Sequence, residues 1–225
     1  MDALQHQRQY IASQKGSAMQ ILNHHPLVMT LDNILTPDEA SGLIELAREK
    51  LDRARVSFDN AYGVTDGRSG QNCWLRYADY PLAKQIGNRI AKLAGIPLEN
   101  AESLQVLHYG PEQEYRAHYD AYDLSTARGQ RCCRYGGQRL VTALVYLNAV
   151  EEGGGTSFPR LGLEVNPAPG RMVLFQNTDE DVTKPHRDSL HAGMPVTQGE
   201  KWAFNIWFHV RPMREKQVFE ALENA

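Results

Sequence analysis

The spacing of apolar residues changes partway along the chain. From Thr36 to about Leu51, Ala40, Leu43, Ile44, Leu46 and Ala47 recur at helical spacing, which predicts an amphipathic helix. Thr36-Pro37-Asp38-Glu39 reads as its start, with Thr as N-cap, Pro in the first turn and Glu closing a capping box. A second helix is expected over 82–93, closed by Gly95 and Pro97. Residues 26–31 read as a strand. After about Glu102 the chain turns to short strand-like runs, at 104–109, 115–122, 140–147, 171–175, 189–194 and 201–210. Turn signals such as Tyr109-Gly110-Pro111 separate them. Helices first and many strands afterwards predict an α+β fold, a sandwich or barrel-like β core braced by N-terminal helices.

The last strand is the most legible. Trp202, Phe204, Ile206, Phe208 and Val210 alternate with Lys201, Asn205, Trp207 and His209. A period of two sends these sets to opposite faces. A buried strand with a polar inner face implies a pocket inside the β core. If that face simply met water, Trp207 would be an exposed aromatic.

Length and charge narrow the reading. The chain has 225 residues, 42% of them hydrophobic and 23% charged, ordinary values for a globular protein. It shows no repeat and no linker, so residues 26–225 read as one domain preceded by a polar, Gln-rich arm or weak helix over 1–25. Lys and Arg number 24 against 27 Asp and Glu, for a net charge of −3. Neither nucleic acid nor an anionic membrane is an expected partner. No run approaches the ~18 apolar residues of a membrane span, and the first thirty residues lack a signal-peptide pattern. Three cysteines, two of them adjacent (Cys132 and Cys133), make no disulfide framework and point to a reducing, cytoplasmic setting.

Candidate chemistry centres on His118-Tyr119-Asp120. Residues i and i+2 of a strand share a side, so an imidazole and a carboxylate converge. With a later histidine they would form a two-His, one-carboxylate face, which leaves adjacent open positions on an octahedral Fe(II). Alone, His-x-Asp equally describes a polar pair at a strand edge. Two later histidines are in range. His186 falls in a charged, loop-like stretch, whereas His191 enters a strand ten residues before Lys201. A cation there could hold the far carboxylate of a dicarboxylate chelating the metal. A surface hairpin charge is the plainer reading of Lys201.

A resemblance extends from about residue 26 to 211 and is densest after Leu104. The runs Gln105-Val106-Leu107-His108-Tyr109-Gly110, Tyr115-Arg116-Ala117-His118-Tyr119-Asp120 and Gly136-Gly137-Gln138-Arg139-Leu140-Val141-Thr142 carry it. So do Tyr146-Leu147-Asn148 through Gly153-Gly154-Gly155-Thr156-Ser157-Phe158-Pro159, Ser189-Leu190-His191-Ala192-Gly193 and Gly199-Glu200-Lys201-Trp202. Together they resemble the prolyl 4-hydroxylase family of Fe(II)/2-oxoglutarate-dependent dioxygenases. Arg68-Ser69-Gly70 through Trp74-Leu75 is similar to that family's Arg-Thr-Ser segment. The departure is at Asn205-Ile206, where many members have Thr-Lys, and it bears on substrate preference.

The resemblance implies a double-stranded β-helix, or jelly roll, with supporting helices. It implies His118, Asp120 and His191 as iron ligands and Lys201 as partner of the 2-oxoglutarate side-chain carboxylate. Tyr109 and Thr156 would assist that cosubstrate, with Trp207 packed beside it. The implied oxidoreductase spends O2 and 2-oxoglutarate, with ascorbate as reductant, to hydroxylate an unactivated C–H bond and release succinate and CO2. Position 4 of a peptidyl proline is the expected target. A free amino acid or other small metabolite is the alternative, and a non-catalytic metal- or ligand-binding jelly roll the alternative outside enzymes. A zinc hydrolase lacks an obvious general base, and in a halogenase Asp120 would occupy the halide's position. Two loops, 59–72 and 123–137, are candidate lids, with Arg68 and Tyr122 as substrate contacts where they meet the core. The second loop, with Arg128, Arg131, Arg134 and the two thiols, reads equally as a solvated basic loop.

Overall fold

The computed structural model of the chain describes residues 19–57 and 62–213, so most of the expected N-terminal arm lies outside the described residues. Strands β1 (Met19–His24) and β2 (Leu27–Leu31) come first, followed by helix α1 (Pro37–Arg48). Short strands β3 (Asp52–Arg53), β4 (Val56–Ser57) and β5 (Tyr62–Gly63) lead to β6 (Gln71–Leu75) and helix α2 (Pro81–Ala94). Next come β7 (Leu104–Tyr109), β8 (Tyr115–His118), a one-turn helix α3 (Ala127–Cys132), β9 (Arg139–Tyr146), β10 (Glu152–Gly153), β11 (Thr156–Phe158) and β12 (Leu163–Val165). The described chain closes with β13 (Met172–Gln176), β14 (His191–Gly193), β15 (Val196–Gln198) and β16 (Lys201–His209).

The capping box predicted for α1 is present. Glu39 N–H donates to the Thr36 hydroxyl at 3.2 Å, and the Thr36 N–H donates to the Glu39 carboxylate at 3.0 Å. The same carboxylate takes both arms of Arg89 from α2 at 2.7 Å, tying the helices together. α2 ends where Gly95 adopts φ +69°, a left-handed cap that a side chain would strain.

All strand pairings are antiparallel. Eight strands form the main sheet in the order β1-β2-β13-β9-β16-β7-β6-β3, and four form a second sheet, β12-β11-β14-β8. Alternation divides the main sheet between two cores. Leu174, Ala143, Ile206, Phe204 and Val106 join Leu43 of α1 and Ile86 and Ile90 of α2 in one cluster. Val173, Phe175, Leu144, Tyr146 and Ala203 point the other way, toward Phe158 and Val165 of the second sheet. The polar side of β16 shares that second face, and Lys201, Trp207 and His209 are all buried on it.

Four expectations need correction. Met19–His24 is a strand rather than part of an arm, because Met19 and Ile21 pack on the first cluster. Of the stretch 59–72, residues 59–61 lie outside the described residues and 64–70 is turn and loop, but β5 takes residues 62 and 63 and β6 begins at Gln71. The 123–137 segment holds α3, N-capped by Thr126, whose hydroxyl accepts the Gly129 N–H at 3.0 Å. Val210 leaves the apolar face of β16 and is 40% exposed.

Candidate active site

β8 and β14 pair antiparallel with His118 directly opposite His191. Asp120, two residues beyond the His118 that ends β8, folds back between the imidazoles. Each histidine Nε2 stands 3.5 Å from a different Asp120 oxygen, and the ligand atoms of all three residues lie within 4.8 Å of one another. A separation of 3.5 Å is long for a hydrogen bond and close to the ~3 Å between neighbouring ligands about 2.1 Å from one ion. His118 Nδ1 donates to the Arg116 carbonyl at 2.8 Å, and His191 Nδ1 to the Ser189 carbonyl at 2.9 Å. A carbonyl only accepts, so the proton is on Nδ1 and both Nε2 lone pairs are directed at the shared centre. Tyr115 stacks on His118 at 3.6 Å, while Phe175 packs 4.6 Å from His191.

The electrostatics match the geometry. Burial works against the Asp120 charge, but the adjoining His191 and His118 imidazoles hold the carboxyl well below the usual carboxylate range. Burial pushes His191 down to about 4, so its imidazole is neutral near pH 7. The Thr142 hydroxyl of β9 donates to Asp120 at 2.7 Å and itself accepts the Asn177 amide at 2.8 Å, which fixes the carboxylate's orientation. An ionised carboxylate and two imidazoles with their Nε2 atoms on one side of an open centre suit a divalent metal. Nothing in the donor set argues against one.

His186 is not part of this group. It lies with His25 and Asp179, its Nε2 3.9 Å from that carboxylate. Its Nδ1 accepts the Asp188 N–H at 3.1 Å, which leaves the proton on Nε2 and withholds that nitrogen from a metal.

Lys201 opens β16 opposite Tyr109 of β7 and is 2% exposed. Its Nζ lies 5.7 Å from the Tyr109 ring and 5.2 Å from the Tyr146 ring, and the Tyr146 hydroxyl is 2.7 Å from Thr156 Oγ1. Tyr109 and Thr156 are thus gathered around the lysine. Burial pushes its ammonium down to about 7, and no neighbouring carboxylate counters the shift. Two glycines make room. A Cβ on Gly154 would stand 3.4 Å from Lys201 Cδ, and one on Gly70 only 2.4 Å from the Tyr109 ring.

Trp207 lies six residues beyond Lys201 on the same strand, about 20 Å away at strand rise, and opposite Thr142, whose hydroxyl binds Asp120. It lines a cavity of about 720 Å³ that Asp120, Tyr115, Arg68 and Tyr122 also line. Arg68 and Tyr122 thus line the same cavity as Asp120. Arg68 is 5% exposed, donates to the Gln105 side chain at 3.1 Å and lies over the Tyr115 ring.

The sequence reading missed Arg139, which stacks 4.0 Å over Trp207 and makes a forked ion pair with Glu102 at 2.6 and 3.0 Å. His209 Nε2 is 2.8 Å from the same carboxylate. Although burial opposes its charge, Arg139 and His209 hold Glu102 at about 2. The signal available was the inward alternation that places His209 and Trp207 on one face. No local pattern announces a partner 37 residues distant.

Comparisons with known proteins agree with this geometry. The model of the 2OG-Fe(II) oxygenase superfamily matches residues 104–209. A putative prolyl 4-hydroxylase of Acanthamoeba polyphaga mimivirus is 35% identical over 181 residues, covering 80% of this chain and 73% of that protein. Prolyl 4-hydroxylase 5 of Arabidopsis thaliana is 32% identical over 219 residues, covering 87% and 72%. Among solved structures, the viral collagen prolyl hydroxylase of Paramecium Bursaria Chlorella virus-1, in complex with 2OG, superposes with a TM-score of 0.64. It is 28% identical and covers 85% of this chain and 96% of its own.

Proposed function

This chain belongs to the prolyl 4-hydroxylase family of 2OG-Fe(II) oxygenases, and from that premise we propose that it hydroxylates position 4 of proline within peptides. The observation that carries the reading is the register of β8 and β14, which sets His118 against His191 with Asp120 between them. His118, Asp120 and His191 would hold Fe(II). The iron, with O2 and 2-oxoglutarate, supplies the oxidation that delivers a hydroxyl to carbon and yields succinate and CO2. Lys201 offers the far carboxylate of 2-oxoglutarate a buried ammonium that no protein carboxylate neutralises, with Tyr109, Tyr146 and Thr156 as polar and aromatic walls. A proline side chain would enter from the cavity, past Arg68, Tyr122 and Trp207.

Two further readings accompany this one. The facing eight- and four-stranded sheets enclosing the site support a double-stranded β-helix, with α1 and α2 packed on its outer face. Ascorbate as reductant and a cytoplasmic setting follow from the family resemblance and the cysteine usage.

The test offers a proline-rich peptide and free proline side by side, with Fe(II), 2-oxoglutarate and ascorbate, and reads products by mass spectrometry. One added oxygen on peptidyl proline, matched by succinate, is expected. Hydroxylation confined to the free amino acid would replace the peptide reading with the small-metabolite one.

A further inference from the structure

The cavity beside the triad carries a charge opposite to that of the whole chain. Overall the chain is at −3, yet Lys50, Arg53, Arg55, Arg68, Arg128 and the Glu102-paired Arg139 line the cavity against Asp52 and Asp120. Lys50, Arg53 and Arg55 are exposed along one wall, at the end of α1 and around β3. Arg128 comes from α3, its Nε donating to the Ser57 hydroxyl of β4 at 2.9 Å. Among the described residues, none of Lys50, Arg53, Arg55 and Arg128 forms an ion pair with an acidic side chain. Lys50 Nζ donates to the Leu46 carbonyl at 3.0 Å, and no acidic side chain among the described residues neutralises any of the four.

Unneutralised cations around a concavity concentrate positive potential there and draw in anionic ligands. A guanidinium also takes a carboxylate through two parallel hydrogen bonds. We infer that the substrate is an acidic peptide, one whose target proline is flanked by Asp or Glu. The inference rests on the peptidyl-proline reading above and adds the chemistry of the neighbouring residues. The proline ring enters toward Asp120, while carboxylates on its flanks pair with Arg53, Arg55 and Arg128 at the mouth.

Two proline-containing peptides of equal length, one with Asp and Glu flanks and one with Asn and Gln in their place, provide the test. The acidic peptide is expected to show a kcat/KM about tenfold higher, the factor that one charge-assisted contact supplies. The preference should shrink as salt rises, because the rim is solvent-exposed. In the double variant Arg53→Gln, Arg55→Gln the ratio of the two kcat/KM values should fall toward one. The ratio is independent of how much of the variant folds. Fluorescence anisotropy of the same labelled peptides reports binding without turnover. Preferential binding of the acidic peptide without hydroxylation would uphold the basic rim and remove the prolyl reading. Equal binding and turnover of both peptides, or a ratio unchanged in the double variant, would overturn the acidic-peptide inference.

Discussion

His191 and His118 meet across a single antiparallel register, whereas Arg53 and Arg128 reach the cavity from a two-residue strand and a one-turn helix. At the triad each of the three side chains is held by a further group. Backbone carbonyls fix the histidine tautomers, Thr142 and Asn177 fix Asp120, and Tyr115 and Phe175 pack the rings in place. At the mouth, exposed side chains on short elements have few such restraints. The difference suits two tasks: a metal demands ligand positions within a few tenths of an ångström, while a peptide flank is met by adaptable, solvated charges.

Removing a restraint at the triad should therefore cost most. Asp120→Ala takes away the only carboxylate of the three-residue group, and 2-oxoglutarate-dependent succinate release should fall more than about hundredfold. Retained release would make the triad's tight geometry incidental. Next comes Lys201→Ala, which removes the buried partner of a carboxylate, worth about 2 kcal/mol or more. The 2-oxoglutarate concentration for half-maximal turnover should rise at least ~30-fold. An unchanged titration would return Lys201 to the role of a structural charge.

A pH series sharpens the same contrast. Burial holds the free Lys201 at about 7, so above that pH it is neutral and must take up a proton to pair with a carboxylate. Apparent 2-oxoglutarate affinity should weaken as pH rises from 7 to 9, by up to about tenfold per unit, and the dependence should vanish in Lys201→Ala. Affinity that strengthens over that window would contradict the assignment. Smaller still is Thr142→Val, which leaves the ligands and deletes the hydroxyl that orients Asp120. A roughly tenfold loss of Fe(II) affinity is expected in an equilibrium titration.

Legibility in the sequence follows the same division. Lys201 and the buried polar face of β16 obey strand periodicity, and the i, i+2 spacing points to His118 with Asp120 although β8 ends at His118 and the carboxylate folds back beyond it. Tyr109 and Thr156 carry no such mark and came from family resemblance alone. β6 escaped because its opening residues Gln71 and Asn72 read as loop, though Cys73 and Leu75 are buried. α3 escaped because six residues including Gly129 form no apolar stripe. Alternation places Trp207 on the buried polar face of β16, but it fixes only which side a residue takes and not what lies beside it. The Arg139–Glu102 pair joins β9 to the segment before β7 through tertiary packing, which no local pattern encodes.

The central claim is that one Fe(II) sits between β8 and β14, and anaerobic equilibrium dialysis against Fe(II) tests it directly. One ion per chain is expected in the native protein and in His186→Ala, with nearly complete loss in His191→Ala. Loss of the ion in His186→Ala with retention in His191→Ala would contradict the assignment of the site.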